Sequence, residues 1–152
     1  MRARELMTCP VVTVRRESSV AEVAKTMVDH RVGCVLVVDP QGKLSGIVTQ
    51  TDFGGDQHGA PFSMEALLQM FSRSMPPEAL KRMRQETRGT IVEQIMVTEV
   101  ITGTEETPLE EMARLMLRYD IDHIPVVRDG VPVGMVARHD FLRTIAEEAK
   151  PN

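Results

Sequence analysis

The 152-residue chain contains no Trp, one Tyr and four Phe. A core of this size must therefore be filled by aliphatic side chains and by the 11 Met, and aromatic platforms for stacking single-stranded nucleic acid are excluded as a dominant device. Cysteine is equally sparse: Cys9 and Cys34 form neither a C-x-x-C pair nor a disulfide framework, as expected for a reduced, cytoplasmic protein. There is no excess of positive charge, since 18 Lys and Arg face 22 Asp and Glu, a net charge of -4. A polyanion as main partner is disfavoured, because phosphate neutralisation requires clustered cations. No apolar run approaches the 18 or so residues that span a bilayer, and the charged start, Met1 to Met7, lacks the apolar segment of a signal peptide. The expected protein is soluble and makes no membrane contact.

The 42% hydrophobic and 26% charged residues are those of a folded globular chain. Self-comparison shows how it is organised. Ala3 to Met7 aligns with Val92 to Met96, Val11 to Thr13 with Val100 to Thr102, Val20 to Met27 with Leu109 to Met116, and Val37-Val38 with Val126-Val127. The offset is about 89 residues and falls to about 88 where Gly46-Ile-Val-Thr-Gln-Thr-Asp-Phe53 meets Gly134-Met-Val-Ala-Arg-His-Asp-Phe141. Residues 1–53 and 91–152 are thus two copies, and residues 54–90 an insertion between them.

Each copy reads as strand, helix, strand, strand, helix. In the first, Val11 to Val14 predicts a short strand and Ser18-Ser19 an N-cap. The apolar positions Val20, Val23, Ala24, Met27 and Val28 predict a helix to about His30 with one core face. Gly33 to Asp39 and Lys43 to Thr49 form the arms of a hairpin turned at Pro40-Gln-Gly42, and a last helix opens near Thr49 to Asp52. The second copy starts its helix at Pro108 and turns its hairpin at Asp129-Gly130. A copy of roughly 50 residues buries too little surface to stand alone, so the two are expected to pack as a pseudo-twofold pair with elements exchanged across a shared core. Within the insertion, Gly54 to Pro61 reads as a loop and Ser63 to Phe71 as an amphipathic helix. Pro77 to Thr87 reads as a second helix carrying Lys81, Arg82 and Arg84, with Arg88 just beyond. The methionines Met64, Met70, Met75 and Met83 are read as packing residues.

The chemically suggestive pattern is Gly46-Ile-Val-Thr49-Gln-Thr-Asp52. A strand-to-helix junction offers backbone N–H groups and the positive end of the helix dipole to a phosphate, with a Thr hydroxyl as a further donor. Asp52 would repel phosphate but can accept two hydrogen bonds from a ribose diol. The competing explanation is a capping box, Thr-x-x-Asp. Against it stands the second copy, where Asp140 persists although the hydroxyl position is Ala137. The four histidines, His30, His58, His123 and His139, have no metal-ligand spacing, and no nucleophile elbow, H-E-x-x-H or phosphate loop is present. No metal site and no catalytic activity are expected.

The ordered motifs, ending in Ile124-Pro125-Val126-Val127 and the Gly-h-Val-x-x-x-Asp pattern of each copy, resemble a tandem pair of cystathionine-β-synthase (CBS) domains, a Bateman module. The resemblance covers both copies. It implies an α/β (α+β) fold of two pseudo-twofold-related βαββα repeats with a helical insertion, acting as a non-catalytic regulatory sensor. The implied ligand is an adenine nucleotide such as AMP, ADP or ATP, or a related adenosyl compound such as S-adenosylmethionine; no catalytic cofactor is implied. Carried over by position, a first cleft would use Thr49 and Asp52 with Ile101, Thr102, His123 and Ile124, His123 meeting phosphate. A second would use Asp140 with Val12, Thr13, Cys34 and Val35, and Arg138 or His139 as phosphate partner. Ala137 departs from the pattern, leaving the second site weaker, selective for another ligand, or empty. The family also implies pairing into a homodimer and a regulated protein partner. The alternatives are a ligand-independent dimerisation or scaffold module in which His123 and the Asp residues are structural, and, last, nucleic-acid contact through Lys81, Arg82 and Arg84.

Overall fold

The computed structural model describes residues 1–50, 52 and 77–149. In chain order they include α1 (Ala3–Leu6), β1 (Thr13–Arg15), α2 (Val20–His30), β2 (Cys34–Val38), β3 (Leu44–Thr49), α3 (Pro77–Gly89), α4 (Leu109–Tyr119), β4 (His123–Arg128), β5 (Val131–Ala137) and α5 (Arg138–Glu148). A 3-10 turn spans Val92–Gln94. The fold is the mixed α/β arrangement expected. The loop expected over residues 54–61, the helix expected over residues 63–71, and Met64, Met70 and Met75 lie outside the described residues.

Local chemistry sets the element ends. The Ser19 hydroxyl accepts the Glu22 N–H at 3.1 Å and opens α2, as the sequence predicts. Arg31 and Asp120, equivalent in the two copies, close α2 and α4 in the left-handed region at φ 52° and 51°. Asp129 and Gly130, at φ 52° and 79°, form the two-residue turn between β4 and β5.

Sheet pairing repeats, with one difference. In the first copy β1 runs parallel to β2, Val14 opposite Val37, and β3 lies on the other side of β2. In the second, β4 and β5 pair antiparallel, but the expected strand around Val100 to Thr102 is reduced to one parallel bridge between Gly103 and Val126. Gly103 stands where the first copy has Val14, and glycine in place of a β-branched residue removes the side chain that favours an extended strand.

The chain divides into two compact units, Met1–Val11, Gln41–Leu44 and Glu99–Asn152 in one, Val12–Pro40 and Ser45–Thr98 in the other. The opening segment of each sequence copy therefore packs with the body of the other copy. The Val20 N–H at the start of α2 donates to the Thr90 carbonyl at 2.8 Å, and its equivalent, the Leu109 N–H at the start of α4, donates to the Met1 carbonyl at 3.1 Å. Ile47 bridges Val97 as Met135 bridges Thr8. A Cβ on Gly46 would lie 2.6 Å from Met96 Sδ, and one on Gly134 would lie 2.4 Å from Met7 Sδ, so in both copies a glycine admits the methionine of the incoming segment.

The shared core of the sequence reading is accordingly two cores. One gathers Val20, Val23, Met27, Val35, Val37 and Val48 with Val92, Ile95 and Met96. The other gathers Met112, Met116, Ile124, Val126 and Val136 with Ala3 and Leu6. Each is completed by a segment distant in sequence, which compensates for the small area a 50-residue copy buries by itself. Val28, expected on the core face of α2, is instead 75% exposed, and its counterpart Leu117 is 80% exposed. The buried stripe of α2 is Val20, Val23 and Met27, with Ala24 half-buried at its edge.

Candidate functional site

Two strand-to-helix junctions, one in each unit, carry the acidic residues. At the first, β3 ends at Thr49 and helix begins at Gln50. The Thr49 N–H donates to Asp52 Oδ2 at 2.8 Å, and the Thr49 hydroxyl lies 3.4 Å from the same oxygen. The Gln50 N–H donates to the Gly33 carbonyl at 3.1 Å. Asp52 is half-buried.

The second junction has the same backbone plan. The Ala137 N–H donates to Asp140 Oδ2 at 2.7 Å, and the Arg138 N–H donates to the Asp122 carbonyl at 2.8 Å. Contrary to the expectation from sequence, Ala137 therefore does not deprive Asp140 of a capping role. Half of a capping box runs from the third helical side chain to the N-cap backbone N–H, and that half needs no side chain on the N-cap residue. In both copies Asp caps its helix. The first two N–H groups of each junction are also engaged internally, which narrows the anion-binding role expected of them.

The two carboxylates differ beyond the cap. Asp140 is 5% exposed, and its Oδ1 lies 3.3 Å from Arg143 Nη2. Arg143 was not singled out from the sequence; its position three residues after Asp140, on the same helical face, is the signal that points to it.

The remaining candidates fall into two groups. In one unit, Cys34 and Val35 are buried in β2 and Val35 belongs to the core. Val12 is half-buried, its carbonyl accepting the Leu36 N–H at 3.0 Å, and Thr13 is exposed in β1. Burial, with the Asp52 carboxylate in electrostatic range, pushes the Cys34 thiol up to about 12. In the other unit, Ile124 is core, Ile101 half-buried and Thr102 exposed. His123, half-buried and opposite Ala137 in the β4–β5 register, has its pKa lowered by burial, against an upward pull from Asp122 and Asp140. Arg138 and His139 are exposed, and Arg138 Nε contacts Asp122 Oδ1 at 3.1 Å. Asp122, also absent from the sequence reading, thus holds Arg138 twice, through its carbonyl and its carboxylate. Cys34 lies in the field of the Asp52 carboxylate and His123 in that of Asp122 and Asp140, each within its own copy. The fully buried Val35 and Ile124 present no side chain to a ligand and can contribute only backbone.

Among the described residues, no three His, Cys, Asp or Glu converge as metal ligands, and no helix is long and apolar enough to cross a membrane.

The CBS domain model matches residues 3–53 and 92–147. The chain is 33% identical over 125 residues to the meiotically up-regulated gene 70 protein of Schizosaccharomyces pombe, a match covering 82% of this chain and 14% of that protein. Among the first curated relatives it matches, this chain spans 14%, 32% and 22% of their lengths. In structure it is similar to the CBS domain of a CBS domain containing membrane protein from Sphaerobacter thermophilus, with TM-score 0.81, 38% identity, and 94% of this chain and 86% of that chain covered. It is also similar to the CBS domain pair of protein MJ0100, solved in complex with 5-methylthioadenosine and S-adenosyl-L-methionine, with TM-score 0.71, 26% identity and coverage of 97% and 98%.

Proposed function

From the premise that this chain belongs to the CBS domain family and carries the domain as a tandem pair, we propose that it is a non-catalytic regulatory module of the cytoplasm that binds an adenine nucleotide or related adenosyl ligand. The observation that carries this reading is Asp52, a half-buried carboxylate at a helix start beside the Thr49 hydroxyl. A carboxylate there accepts both hydroxyls of a ribose, and the adjacent hydroxyl donates to phosphate. The adenosyl compounds held by the 26% identical MJ0100 pair support the ligand class. In this reading Thr49 and Asp52 act with Ile101, Thr102, His123 and Ile124. Asp140 acts with Val12, Thr13, Cys34, Val35 and Arg138 or His139. Occupancy alters a surface read by a regulated partner, which requires the ligand to bind one conformational state more tightly than another.

The test is titration of protein stripped of endogenous nucleotide with AMP, ADP, ATP and S-adenosylmethionine, beside Asp52→Ala. A ligand at about 100 times its Kd raises stability by about 2.7 kcal/mol, or roughly 5–10 °C in Tm for a chain of this size. Absence of binding by the parent, or equal binding by the variant, refutes the proposal.

A second reading, ligand-independent homodimerisation, is favoured by one observation: Val28 and Leu117 are exposed at equivalent positions of α2 and α4, where large apolar side chains gain by being covered. It predicts that every nucleotide leaves Tm unchanged while Val28→Ser/Leu117→Ser converts a dimer to a monomer in sedimentation. Sedimentation also tests the homodimer expected alongside ligand binding.

A further inference from the structure

The two acidic positions share a backbone plan, and among the described residues an arginine sets Asp140 apart. Asp140 Oδ2 is occupied by the Ala137 N–H at 2.7 Å, and Oδ1 faces Arg143 Nη2 at 3.3 Å. Both contacts that Asp52 makes with Thr49 go to Oδ2, and the residue aligned with Arg143 in the first copy is Gly55, which has no side chain to offer. A ribose diol binds a carboxylate by presenting two donors, and a guanidinium on the same oxygen competes with it for the lone pairs and for the charge. The other arginine nearby, Arg138, is engaged by Asp122 at 3.1 Å. Arg143 itself is half exposed, its side chain at 49%, so the pair can open at small cost.

We propose that Arg143 is a specificity-determining residue: by pairing with Asp140 it withholds that carboxylate from a ribose diol, makes the two acidic positions unequal, and directs an adenosyl ligand first to Asp52. The inference rests on the adenosyl-ligand reading above. It replaces the missing Ala137 hydroxyl as the main reason for asymmetry, because a hydroxyl bears on phosphate whereas Arg143 bears on the ribose acceptor itself.

The experiment uses the full chain and calorimetric titration with adenosine, which has the diol and no phosphate, with 2′,3′-dideoxyadenosine as the control without a diol. Asp52→Ala isolates the Asp140 position. In that background Arg143→Ala is expected to tighten adenosine binding by roughly two- to fivefold, the range for releasing an exposed ion partner, and to leave the dideoxy compound unaffected. Arg143→Lys should lie between. Equal affinity with and without Arg143 overturns the inference while leaving the adenosyl reading intact if the parent still binds adenosine. Weaker AMP binding by Arg143→Ala with unchanged adenosine binding also overturns it, by making Arg143 a phosphate contact. If neither the parent nor Arg143→Ala binds adenosine or AMP, the adenosyl reading has failed and this inference falls with it. Thermal unfolding of each variant establishes that the titrated protein is folded.

Discussion

The two copies keep a common backbone and redistribute side-chain volume and charge upon it. In the first, Val14 on β1 and Val23 on α2 lie in the same core region. At the equivalent positions of the second, Gly103 faces Met112, and a Cβ on Gly103 would lie 2.3 Å from Met112 Cε. A medium pair has been exchanged for a small and a large residue, so the longer Met112 side chain fills part of the space that Gly103 leaves open. The exchange reduces a strand to a single bridge, yet Met112 is still fully buried. Around the acidic residues the change is of charge: Thr49, Asp52 and Gly55 correspond to Ala137, Asp140 and Arg143. The constraint common to both copies is the i, i+3 carboxylate cap, which explains why Asp persists whatever its neighbours do.

The sharpest way to break the core comparison is Gly103→Val, which drives a branched side chain into Met112 Cε and Sδ, at 2.3 and 2.9 Å from the Cβ position. A loss of about 3 kcal/mol is expected in urea unfolding, the upper range for overpacking. Adding Met112→Val should recover more than half of it by recreating the pair of the first copy; failure to recover would show that the two cores are not interchangeable.

A smaller effect separates the two carboxylates. Asp140→Ala, which removes a buried cap and its partner for Arg143, is expected to cost about 2 kcal/mol of stability, and Asp52→Ala about 1 kcal/mol. The order of ligand effects should be the reverse, Asp52→Ala being the more damaging to adenosine binding. Equal costs on both measures would remove the distinction between the Arg-paired Asp140 and Asp52.

The residue beside each acidic position differs as well, since the first copy has Cys34 where the second has His123. Burial lowers the His123 pKa in the folded state below the usual 6.5. The unfolded chain therefore binds this proton more readily, so the contribution to stability is present above about pH 6.5 and is lost as pH falls through the lower folded value. His123→Gln should flatten that part of the stability profile, measured as Tm between pH 7.5 and 5. The smallest effect expected is on the thiols. Exposed Cys9 should alkylate readily at pH 8 in native protein, while Cys34, with its pKa pushed up to about 12, should react only on unfolding, as followed by mass spectrometry.

Much of this was legible in the sequence. The repeat, the α2 boundaries at Val20 and His30, the Ser19 cap and the Asp129-Gly130 turn are all local, set by periodicity, side-chain-to-backbone hydrogen bonds and left-handed backbone preferences. Val28 was misplaced because helical spacing marks a broad apolar stripe and says nothing of where its edge meets solvent. Asp140 was misjudged because sequence comparison counts side chains, whereas its partner is a backbone N–H.

By itself, then, the sequence determined the duplication, the element order and the identity of the paired acidic residues, since these depend on contacts within a few residues and on self-similarity along the chain. Tertiary structure alone decided that residues 1–11 complete the unit built on the second copy, that Ser45–Thr98 belongs with the first, and that Asp140 lies buried under Arg143 while Asp52 is half-buried. Those outcomes turn on which surfaces exclude water from one another, and that is settled by packing between distant segments, which no local pattern encodes.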